Sequence, residues 1–112
     1  MAVKFRRKSF SRKALRAYLE ANPNKKHRCG DAKACVLANF IADTQPFPKG
    51  TNKVAVWGTT VSFFPEDREY TDVTVYELPK WCTKVVDRFD RIKGRGNPTS
   101  KRALKELASI IG

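Results

Sequence analysis

No apolar run in these 112 residues approaches the roughly 18 needed to span a bilayer, and no apolar stretch follows the basic N-terminal residues as a secretory leader requires. A membrane-spanning helix is therefore excluded as a reading of the sequence, and a cytoplasmic location is expected. Cysteine is scarce: Cys29, Cys35 and Cys82 are an odd number, so complete internal disulfide pairing is impossible and reduced thiols are expected. Histidine occurs once, at His27. No phosphate loop, nucleophile elbow or metalloprotease signature is present, nor any internal repeat or dividing linker. Acidic residues are few, 11 Asp and Glu against 23 Lys and Arg, which leaves a net charge of +12.

What is present is enough apolar surface to fold. A hydrophobic fraction of 41%, with 11% aromatic residues, offsets the entropy of ordering the backbone, and the length suits one core. One domain is expected over residues 1–112. The charge is segregated along the chain. Residues 1–33 and 80–112 are strongly basic, whereas residues 34–79 carry more acids than bases. Segregation of this kind makes a basic face, suited to a polyanion, if the two ends meet in the fold.

The hydrophobic pattern predicts an α+β fold with about four helices and a small antiparallel sheet of about three strands, in the order α-α-β-β-β-α-α. Residues 1–8, MAVKFRRK, have no helical period and read as a flexible basic arm. Ser9 or Ser11 is expected to cap a first helix with Leu15, Tyr18 and Leu19 on one side, ending at Asn22-Pro23-Asn24. Asp31 is a plausible cap for a second, largely buried helix containing Cys35, Leu37, Ala38, Phe40, Ile41 and Ala42. Residues 54–57, 61–64 and 72–76 read as strands, with Gly58-Thr59 at a turn. Pro79 suits the first position of a third helix whose stripe is Cys82, Val85, Val86, Phe89 and Ile92, with Gly94 as its stop. Thr99 or Ser100 caps a last helix whose Leu104, Leu107, Ala108 and Ile111 share a face.

Candidate phosphate contacts are Arg6, Arg7, Lys8 and Arg12 near the N-terminus and Arg95, Lys101, Arg102 and Lys105 near the C-terminus, because such cations release counterions on binding a phosphate chain. The loop at Lys93-Gly94-Arg95-Gly96 lets backbone N–H groups approach the oxygens, and Arg88 and Arg91 flank it. Trp57, Phe63, Phe64 and Tyr76 in the strand region are mostly core in this reading. Glu66, Asp67, Glu69 and Asp72 would repel phosphates there, so the binding face is expected on the helices and termini. By count alone His27, Cys29, Cys35 and Cys82 make a four-ligand zinc set, but paired Cys-x-x-Cys knuckles are absent and ordinary thiols without metal or cofactor are the expectation. Cys35 near a helix start, with His27 as base, supplies the minimum for a cysteine nucleophile, and Asp87 and Asp90 with Glu66 and Asp67 offer an acid/base pair. The carboxylates sit among charged neighbours and read as surface, and no catalytic residue is assigned.

At Cys35-Val36-Leu37-Ala38-Asn39-Phe40-Ile41 the chain resembles a group of small phage and prophage proteins in which a Cys-Pro-Leu-Ala segment opens a short helix. A Leu-bearing first helix precedes it, here with Leu15 and Leu19, and a helix start follows at Leu78-Pro79-Lys80-Trp81. The chain departs from that group at Val36, where proline is usual, and in the six-residue step from Cys29 to Cys35. The resemblance implies a mobile-element origin, hence a host-cell cytoplasm, and brings no activity. Two expectations follow: a non-enzymatic accessory protein that binds DNA or RNA through its basic termini, or a phage-encoded inhibitor that binds a host protein such as a defence nuclease complex, in the manner of an anti-CRISPR, or a polymerase.

Overall fold

A computed structural model describes residues 3–66, 73–92 and 97–112. The elements in chain order are β1 (Val3–Lys4), α1 (Arg12–Ala21), α2 (Val36–Thr44), β2 (Lys53–Trp57), β3 (Thr60–Phe64), β4 (Thr74–Glu77), α3 (Lys80–Asp90) and α4 (Ser100–Ile111). The α+β class stands, with four strands in place of the expected three and a mixed sheet in place of an antiparallel one. The sheet order is β1-β4-β3-β2, in which β2, β3 and β4 pair antiparallel and β1 lies parallel to β4.

The added strand comes from the segment expected to be a free arm. Val3 and Lys4 pair with Tyr76 and Glu77, and the Phe5 N–H donates to the Glu77 carbonyl at 2.8 Å. Phe5 explains this docking: its ring is only 1% exposed and meets Phe10 edge-on at 4.8 Å, Tyr76 at 5.5 Å and Phe63 at 5.9 Å. A single aromatic among basic residues has no periodicity, so the pattern of charges hides it. The Arg7 guanidinium then covers the same rings, 4.9 Å from the Phe5 centroid and 5.5 Å from that of Tyr76.

Helix starts follow local chemistry. Ser11 caps α1 by accepting from the Ala14 N–H at 3.0 Å, and Thr99 caps α4. Asp31 does not cap α2. Its carboxylate accepts from the Lys33 N–H at 2.9 Å in a turn of its own, and Cys35 holds the N-cap position. Pro79 likewise sits at the N-cap of α3. Between β2 and β3, Gly58 turns the hairpin with a φ of 59°, a left-handed conformation that glycine adopts without a Cβ clash.

One apolar cluster joins the inner sheet face, through Val54, Val56, Val61 and Phe63, to helical residues that include Leu15, Leu37, Phe40, Val85, Phe89 and Leu107. Helix α2 packs on β2 and α3, and α4 packs on both α3 and α1. The expected stripes of α1 and α3 face this core, although Val86 and Ile92 are only half-buried. On α4 the seam is rotated: Ser100, Ala103, Leu107 and Ile111 are buried, Leu104 is half-buried and Ala108 is exposed. Ala42 of α2 also faces solvent. The third-strand expectation included Asp72, which lies outside the described residues, as does Gly94.

Replacing Phe5 by alanine is expected to destabilise the protein by about 3–5 kcal/mol in urea unfolding, the range for deleting a buried phenyl ring. Arg6→Ala, one residue on and exposed, should change stability by less than about 0.5 kcal/mol. Equal small losses at both positions would mean that the N-terminal segment is not docked.

Candidate functional site

The chain ends meet. Helices α1 and α4 lie side by side and antiparallel, since Arg16 midway along α1 donates to the carbonyl of Gly112 while the Lys101 N–H, at the start of α4, donates to Pro23 just beyond the end of α1. The strap after α1 runs against the entry to α4: the Ser100 N–H donates to the Lys25 carbonyl at 2.8 Å, the His27 N–H to the Pro98 carbonyl at 2.9 Å, and Lys26 bridges Thr99. These backbone contacts place Lys25 and Lys26 beside Lys101.

Of the sequence-predicted contacts, Arg6, Lys8, Arg12, Lys101 and Lys105 are exposed, and none makes an ion pair among the described residues. Arg7 is half-buried over its two rings, and Arg102 is half-buried at the start of α4. Arg95 and the loop Lys93–Gly96 lie outside the described residues. Arg88 is committed elsewhere, 3.5 Å from the Glu106 carboxylate, where it ties α3 to α4. Two further cations lie on these elements without having been singled out: Lys13 on the exposed side of α1, and Lys26 through the strap. Lys13 was legible as an exposed helix position. The Lys26–Thr99 pairing has no sequence signature.

Acids near this face are already engaged. Glu20 lies 3.6 Å from Arg16, and Asp43 lies 2.9 Å from the Lys25 ammonium and accepts the Tyr18 hydroxyl at 2.5 Å. Burial alone would raise the Asp43 carboxyl, but the Tyr18 and Lys25 hydrogen bonds and the lysine charge outweigh it and hold the group below its ordinary value. Burial and the adjoining carboxylate push the Tyr18 phenol up.

Beneath the strap sits a buried array with the outline of a catalytic triad. His27, 0% exposed, has Nε2 2.8 Å from Ser100 Oγ and Nδ1 2.8 Å from Asn39 Nδ2. The same Asn39 Nδ2 donates to the Ala34 carbonyl at 3.1 Å, which fixes the amide with its nitrogen toward the ring. Nδ1 must then accept, so the proton sits on Nε2 and the imidazole donates to Ser100. A ring in that state cannot take a proton from the serine hydroxyl, the reverse of what nucleophilic catalysis needs. Ser100 is also fully buried. The array is a structural clasp.

The cysteine readings fare no better. His27, Cys29, Cys35 and Cys82 do not converge: among the described residues no group of three or more His, Cys, Asp or Glu could hold a metal ion. Burial pushes all three thiols above their ordinary values, at Cys35 against a partial pull from the first-turn amides of α2, so Cys35 is not the activated thiol that its place at a helix start suggested. Cys29 donates to the Phe89 carbonyl at 3.3 Å. Asp87 and Asp90 are exposed, and Asp90 accepts the Gly30 N–H at 3.0 Å.

Burial, and then the charge of Lys25, lower the His27 pKa from 6.5 to about 4, against a smaller opposing pull from Asp43. The unfolded chain therefore binds a proton that the folded chain refuses, and stability is complete above pH 6.5 and lost as pH falls toward 4. About 2 kcal/mol should disappear between pH 7 and pH 5, above the range where most carboxylates titrate. Urea unfolding across that window measures the loss. Because the protein has one histidine, its imidazole nitrogen resonances report the Nε2–H tautomer directly. A flat stability profile, or an Nδ1–H ring, would contradict the clasp as described.

Set against protein-family models, curated proteins and solved structures, the chain matches none of them.

Proposed function

We propose that this protein is a small basic accessory protein that binds nucleic acid, with the exposed cations of α1, α4 and the segments leading into them as its phosphate contacts. The observation that carries this reading is the antiparallel seating of α1 on α4. It sets the basic helices α1 and α4 side by side, and Glu20, Asp43 and Glu106 on or beside them each face a cation, whereas Arg6, ahead of α1, lies beside Glu77 and Lys80 at the sheet edge. A chain charged only for solubility has no need to gather one sign on one side. The likeness to phage and prophage proteins supports a mobile-element setting.

A second reading draws on the other side of the molecule. The outer sheet face exposes Trp57 by 60%, Val75 by 41% and Val73 by 39%, side chains of the kind that anchor protein interfaces. This patch favours the phage-encoded inhibitor of a host protein. Substituting Trp57 separates the two, because it lies on the sheet and not on the basic helices.

Neutralising Arg6, Lys8, Arg12, Lys101 and Lys105 to glutamine should weaken binding to any nucleic acid sequence alike, and each lost phosphate contact should reduce the slope of log K against log salt by about 0.7–0.9. Lys49→Gln with Lys53→Gln should do much less, since Lys53 already lies 3.6 Å from Glu66. Fluorescence anisotropy with a labelled oligonucleotide, titrated at several salt concentrations, measures both. Equal loss from the two sets would mean diffuse attraction without a site. No binding at all, with host protein captured by the wild type and not by Trp57→Ala, would favour the inhibitor.

A further inference from the structure

We infer that the basic face takes double-stranded nucleic acid, gripping the phosphate backbone without stacking on bases. This deepens the nucleic-acid reading and rests on it.

Proteins that hold single strands set exposed aromatic side chains within a positive groove, so that bases stack while cations follow the backbone. Here the two properties are on different surfaces. On the helical side Phe10 and Tyr18 are 7% and 8% exposed and are turned into the core against Phe40. Among the described residues Trp57 is the one aromatic exposed by more than a third, and it stands on the sheet near carboxylates, of which Asp31 faces Arg28 at 3.8 Å. It borders a shallow depression of about 330 Å³ together with Asp31 and Asp90. It also pairs with Thr60, which pairs in turn with Glu77, so a third carboxylate lies two strands away on the same sheet face.

The cations have the opposite arrangement. Arg12 and Lys101 stand toward opposite ends of the helix pair, which extends over about 15–18 Å at 1.5 Å per residue. That reach exceeds the ~12 Å width of a major groove, enough to touch phosphates of both strands. A duplex also carries twice the charge per unit length of one strand, which favours it at a surface offering cations and no stacking partner.

The test uses the full chain and three labelled probes of equal length: a DNA duplex, an RNA duplex and one of the single strands, by anisotropy at matched salt. At least one duplex should bind about tenfold or more tightly than the single strand, and whichever duplex binds better identifies the source of the phosphate backbone. Trp57→Ala should leave duplex affinity unchanged. The tryptophan emission of the wild type should not be quenched on binding, with Trp57→Phe separating its signal from that of Trp81. Tighter or equal binding of the single strand, still weakened by the arginine and lysine substitutions, would overturn the duplex inference and leave nucleic-acid binding standing. Loss of that single-strand binding in Trp57→Ala would identify the sheet as the stacking surface. Binding of none of the three probes would overturn both.

Discussion

The hydrogen bond from His27 Nε2 to Ser100 Oγ joins positions 73 residues apart inside the buried core, and the seating of α4 against the strap depends on it. An imidazole buried there must be neutral and must satisfy both nitrogens, because each unpaired polar atom out of water costs about 1–3 kcal/mol. Asn39 serves one nitrogen and Ser100 the other, so α2 and α4 are held to the strap by one ring. The strap in turn leaves α1 and enters the core at a fixed point. If the clasp opened, α4 would lose its anchor to α2 and the basic face would lose its geometry.

Gathering cations on one side has a cost that the core must offset. Lys and Arg on α1 and α4 repel one another across the helix pair, and the ion pairs of Glu20 and Glu106 with their arginines are too exposed, and therefore too screened, to compensate for much. Ala103, Leu107 and Ile111 on α4 and Leu15 and Leu19 on α1 supply the opposing attraction as buried apolar surface. A bound polyanion would remove the repulsion while leaving the burial intact, so the binding proposed above would also stabilise the fold.

Much of this architecture was legible because helix periodicity is a strong local signal. The stripes Leu15/Tyr18/Leu19 and Cys82/Val85/Phe89 specify their buried faces without help from elsewhere in the chain. What escaped was non-local. Phe5 converts an apparent arm into a strand only because Phe10, Phe63 and Tyr76 lie where its ring can reach them. Ser100 reads as a helix cap until His27 claims its hydroxyl, and Thr99 takes the capping role. The segregation of charge could be counted from the sequence, whereas the meeting of the two ends required the strap pairing of residues 25–27 with 98–100.

The parallel pairing of β1 with β4 has a consequence for how the chain folds. Val3 meets Tyr76, so β1 has no partner until α1, α2, β2, β3 and then β4 have been made. Its closing contact is among the longest loops the molecule must form, and such non-local pairings slow folding because loop entropy is lost before contact is gained. During synthesis the hairpin of β2 and β3 can form from neighbouring sequence, while Phe5 waits exposed beside Arg6 and Arg7. Those flanking charges act as gatekeepers, keeping a strand-forming aromatic segment soluble until its place in the sheet exists.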